Sequence, residues 1–139
     1  MGGPALRLHL ANDRTALEPA RLAVLDFLAP FSPSARTVYA VELVLEEVLT
    51  NEIKYAFDDT AEHPIELTVR LEPETVVLHF EDSGKAFDPL QASAPQAPTT
   101  VDDAPVGGLG LVLVRSFAAS ASYQRRDARN CLTIAVALA

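Results

Sequence analysis

Glu47 and Asn51 stand four residues apart in VELVLEEVLTNEIKYAFDD, residues 41–59, so on a helix they share a face. A carboxylate there can take a proton from a hydroxyl or a water. An amide oxygen is a hard, neutral ligand for Mg²⁺, an ion that takes few protein ligands and completes its shell with water and phosphate. Glu46 sits about 140° around the helix from Asn51 and points elsewhere. Two further stretches carry chemistry. Asp82-Ser83-Gly84 ends a strand pattern, where a carboxylate can accept a hydrogen bond from the exocyclic amine of a purine and a glycine permits close approach. Gly107-Gly108-Leu109-Gly110-Leu111 opens a helix pattern, where free N–H groups and the positive helix end suit a phosphate. Each alone has a plainer reading: a polar helix edge, an Asx turn, a hinge. In this order they outline a nucleotide site. The glycines are neither a Rossmann fingerprint, since Leu113 stands where the last glycine belongs, nor a phosphate-binding P-loop, which has no match in the chain.

The elements that must position these residues follow from periodicity. Leu6, Leu8 and Leu10 alternate with Arg7 and His9 in a first short strand. A helix carries Leu17, Val24, Leu25 and Leu28, its start marked either by Thr15 with Glu18 or by Pro19, its end by Pro30. Ser32 and Pro33 read as the cap and first residue of a second helix running to about Phe57. Val38, Val41, Leu45, Val48, Leu49 and Ala56 form its core stripe, with Glu47 and Asn51 at the border. Strands at Ile65–Leu71 and Thr75–Glu81 form a hairpin. Residues 91–105 lack periodicity, as expected of a lid. A helix from about Leu109 follows, then strands at Ser120–Arg126 and Cys131–Leu138 around a turn at Asp127–Asn130. This order predicts an α+β fold: a two-layer sandwich, the sheet mixed but mostly antiparallel, with helices on one face.

With 139 residues and 49% hydrophobic composition, one domain with a real core is expected over residues 1–139. A net charge of −8 argues against free nucleic acid or an anionic membrane as partner. No apolar run is long enough to span a membrane, and Met1–Leu10 does not read as a signal peptide. The single cysteine, Cys131, precludes an internal disulfide and fits a cytoplasmic location; its place in a strand suggests packing. His9, His63 and His79 are scattered and make no metal pattern in sequence, and His79 alternates outward. Arg125, Arg126 and Arg129 cluster at a hairpin, as a solvated turn or a docking patch for an acidic partner.

Together the three stretches resemble the N, G1 and G2 boxes of the GHKL (Bergerat) ATPase superfamily. The wording EEVLTN, DSGKAFDP and GGLGL resembles the anti-sigma-factor serine kinases of the RsbW/SpoIIAB type, over nearly the whole chain. The resemblance implies ATP and Mg²⁺ as cofactors, Asn51 as the metal ligand and Glu47 as general base. It implies that Asp82 and Gly84 contact adenine, that Phe87 and Asp88 anchor a lid over about residues 85–107, and that Gly108 and Gly110, with Leu109 and Leu111, face the phosphates. Lys54 is placed to reach a phosphate. Two departures stand out: Tyr55 where many such kinases carry His, and Leu109 where some carry Arg. The implied activity is phosphorylation of a STAS-domain anti-sigma antagonist, with a sigma factor as rival partner and a homodimer as the assembly. A sequestering module that holds ATP without useful catalysis is the alternative, ahead of the ATPase part of a histidine kinase.

Overall fold

Alternation gives each strand one dry side, and the dry sides line up. The computed structural model describes residues 3–55, 63–86 and 117–138, with only the backbone of residues 54 and 55. Its elements are β1 (Ala5–Leu10), α1 (Leu17–Leu28), α2 (Ala35–Tyr55), β2 (Ile65–Leu71), β3 (Thr75–Asp82), β4 (Ala118–Arg126) and β5 (Arg129–Ala137). The strands form a five-stranded sheet in the order β1-β2-β3-β5-β4. Every neighbouring pair is antiparallel, so no parallel pair occurs among the described residues. The architecture is the expected α+β one.

Register sorts the side chains into two faces. Leu67 lies opposite Leu8 and Phe80, while Leu78 lies opposite Val69 and Ile134. These residues share the dry face, where Val24 and Leu28 of α1 and Val41, Val44, Val48 and Leu49 of α2 join them in one buried core. Burying a side chain of this size stabilises by roughly 1.5–3 kcal/mol before conformational entropy is deducted. Thr37 ties the start of α2 to the end of β5, its hydroxyl lying 2.9 Å from both the Ala137 and Leu138 carbonyls.

Several boundaries differ from expectation for local reasons. The cap ahead of α1 is Asp13, whose Oδ1 accepts from the Thr15 N–H at 2.8 Å and opens a short 3₁₀ turn leading into the helix. Pro19 falls in the first turn, where a missing N–H breaks no helical bond. Ser32 does not cap α2. It sits in the left-handed region at φ 49° and its N–H closes the preceding turn on the Ala29 carbonyl at 3.1 Å. Ser34 caps instead, its Oγ accepting from the Thr37 N–H at 3.1 Å. The turn between β4 and β5 is only Asp127-Ala128, both at positive φ, so Arg129 and Asn130 belong to β5. The expected end of α2 at Phe57, the lid beyond residue 86 and the third helix up to residue 116 lie outside the described residues.

Candidate functional site

The phase of α2 is as expected: Glu46 is exposed, Glu47 half-buried and Asn51 buried at 4% exposure. The Asn51 amide nitrogen donates to the Glu47 carbonyl, one turn back, at 2.6 Å. That bond fixes the amide orientation. It leaves the carbonyl oxygen without a donor among the described residues, an acceptor suited to a hard cation. Burial, and secondarily the Glu46 charge, push the Glu47 carboxyl above its ordinary range. A carboxyl tuned upward is a better proton acceptor near neutral pH.

At the end of β3, Asp82 is buried at 2% exposure. Its Oδ1 accepts from the Gly84 N–H and from Asn130 Nδ2, both at 2.9 Å. Asn130 Nδ2 also donates to the Lys85 carbonyl at 2.8 Å, and its Oδ1 accepts from the Tyr123 hydroxyl and from Arg125 Nη1. Arg125 Nη1 reaches the Gly84 carbonyl at 2.7 Å. The turn at 82–85 is thus held from outside by three side chains of the β4–β5 hairpin. Arg125 belongs to this clamp, and Arg129 pairs with Glu66 and Glu81. Arg125 and Arg126 are nonetheless exposed at the hairpin.

Sequence reasoning missed Glu52. It is 6% exposed and lies against Asp82. Burial raises its carboxyl well above the usual range, and the Asp82 charge and hydrogen bond add to the effect. Its Oε2 meets no partner among the described residues. Burial and the adjacent Asp82 carboxyl both favour the protonated form of Glu52. Glu52 follows Val48 by four residues and Leu49 by three. An acid in the core phase was the signal available. Asn130, Tyr123 and Arg125 gave none, because strand pairing alone brings them to the turn.

The structure joins α2 to the end of β3 through Glu52 and Asp82, with Gly84 bonded to Asp82 and Asn51 next to Glu52 in the chain. Of Lys54 only the backbone is described. Phe87, Gly108, Leu109, Gly110 and Leu111 lie outside the described residues.

A histidine kinase-like ATPase domain model matches residues 10–136. The chain is 45% identical over 103 residues to the serine/threonine-protein kinase BtrW of Bordetella bronchiseptica, covering 73% of this chain and 71% of that one. The chain belongs to the histidine kinase-like ATPase family. A second relative in the family, the anti-sigma F factor of Bacillus subtilis, is 24% identical over 98 residues, 70% of this chain and 67% of its own. The same fold occurs in the crystal structure of the RsbU and RsbW domains of Rv1364c from Mycobacterium tuberculosis. There the TM-score is 0.65 at 12% identity, covering 96% of this chain but 32% of that one. Being an ATPase domain, the chain is one that binds ATP, and its relatives place it with the anti-sigma serine kinases of the family.

Proposed function

We propose that the protein is an anti-sigma serine/threonine kinase that phosphorylates a STAS-domain antagonist in a partner switch, with a sigma factor as the competing partner. The observation that carries this reading is the Glu47–Asn51 pair, an up-shifted carboxyl beside an amide whose oxygen, without a donor among the described residues, suits Mg²⁺. ATP with Mg²⁺, when bound, supplies an electrophilic γ-phosphoryl group. Glu47 would accept the proton of the partner's seryl hydroxyl as that oxygen bonds to the γ-phosphorus and the bond to the departing ADP breaks. Asn51 would hold Mg²⁺ through its carbonyl oxygen. Asp82, held by Gly84, Asn130 and Glu52, is the acceptor for the adenine amine. Gly84 lets the base approach. Lys54 and the glycines at 108 and 110, with Leu109 and Leu111, meet the phosphates, and Phe87 anchors a lid over about 85–107. We place the protein in the cytoplasm as a regulator of transcription, working as a homodimer.

The test uses labelled ATP and a STAS-domain substrate. Glu47→Gln should leave nucleotide affinity within about threefold and lower phosphotransfer by at least about 10²-fold. Transfer at the wild-type rate would remove Glu47 as the base. Glu46→Ala should keep transfer. Glu47 acts as the carboxylate, so the rate rises with pH through its raised pKa. Loss of the Glu46 charge lowers that pKa and moves the acid limb to lower pH. A wild-type protein that binds ATP and its partner but transfers nothing would be the sequestering module.

A further inference from the structure

The face of the sheet away from the helices carries a second cluster. Glu81 of β3 is paired with Cys131 of β5, and His79 with Thr133, so these four side chains share that face. Among the described residues, His79, Glu81 and Cys131 each offer one ligand atom, all within 4.8 Å of one another. His79 Nε2 lies 3.1 Å and Cys131 Sγ 3.5 Å from the same oxygen, Glu81 Oε1.

We propose that His79 Nε2, Glu81 Oε1 and Cys131 Sγ form a binding site for a borderline-soft divalent transition ion, Zn²⁺ by chemical class. Bond lengths of about 2.0–2.3 Å in a tetrahedral shell require ligand atoms roughly 3.3–3.6 Å apart. Two of the three edges are already near that value, so small side-chain rotations complete the set. Thiolate and imidazole favour Zn²⁺ over Mg²⁺ or Ca²⁺. The outer contacts match those of a metal centre. His79 Nδ1 is held by Thr133 Oγ1 at 2.7 Å, which leaves Nε2 for the ion. Glu81 Oε2 is held by Arg129 Nε at 3.5 Å, which leaves Oε1. The ion takes the place of the hydrogens now shared at that oxygen, and the Cys131 proton leaves to solvent.

Arg129 and Arg126 bring positive charge near the cluster. The thiolate, Glu81 and Glu66, paired with Arg129 at 3.1 Å, oppose it. His79 and Glu81 line a groove of about 420 Å³ together with Arg7, His9, Glu66 and Arg70, while Cys131 is buried. This site is separate from the nucleotide residues. Asp82 and Asn130, the next cross-strand pair, face the other way.

The nucleotide-free full chain should be titrated with Co²⁺, then with Zn²⁺ in competition with a chromophoric chelator. A thiolate-to-cobalt charge-transfer band at one equivalent is expected, bleached by Zn²⁺. Cys131→Ser should abolish the band, and Cys131→Ser and His79→Gln should each weaken Zn²⁺ at least about tenfold. Unchanged circular dichroism and ATP binding would establish that both variants fold. Absence of the band in the wild type, or equal Zn²⁺ affinity in wild type and both folded variants, overturns the site.

Discussion

At Glu52 a carboxyl occupies a position where the pattern of α2 asks for an aliphatic side chain. Its neighbours in phase, Val48 and Leu49, are fully buried, and so is Glu52, against Asp82. The upward shift of its carboxyl has a thermodynamic consequence. A carboxyl raised on folding binds its proton more tightly in the native state. The stability this adds is complete below the unfolded value of about 4.3 and is lost as pH rises through the folded one. Glu52→Gln keeps a donor toward Asp82 without that loss. Urea unfolding should find the variant more stable by roughly 1–3 kcal/mol at neutral pH, with the difference shrinking toward about pH 4. Glu47 and Asn51 were legible because their four-residue spacing is a property of the helix alone. Glu52 was not, because its meaning depends on Asp82, a residue of another element. The His79–Glu81–Cys131 cluster was hidden likewise: three scattered residues become neighbours only through the β3–β5 register.

At the scale of elements, alternation identified all five strands and helical spacing both described helices, while the ends went astray by a few residues. The reason is that caps compete. Ser32 and Ser34 are both plausible caps for α2, and the choice is made by the turn that Ser32 closes. The β4–β5 hairpin is tighter than its sequence suggested. Both turn residues have positive φ, Asp127 at 53° and Ala128 at 61°, the requirement of a type I′ turn, which favours glycine at the second position. An alanine there carries a Cβ against the following carbonyl. Ala128→Gly should stabilise the protein by about 1 kcal/mol, measured as a higher denaturant midpoint at constant slope. The hairpin also matters for the site, because Tyr123, Arg125 and Asn130 on its arms hold the turn at Asp82–Lys85.

For the whole molecule, the α+β class followed from the order of elements, but the sheet order did not. Nothing in the local pattern says that β5 lies between β3 and β4. That placement makes the sheet a two-sided plate, with nucleotide residues on one side and His79, Glu81 and Cys131 on the other. It also governs when the nucleotide site can exist. The bond from Asn130 to Asp82 joins residues 48 apart in sequence, and the sheet centre closes only when that span has been brought together. Non-local closure of this kind is slow to reward the entropy it consumes, and it sets folding rates in the millisecond-to-second range. A chain growing from its N-terminus holds Asp82 long before it holds the strand that fixes it. ATP should therefore slow unfolding in stopped-flow experiments and leave the refolding rate unchanged, since it finds a site only after the rate-limiting pairing. The nucleotide is a latch on the finished protein, with no part in assembling it.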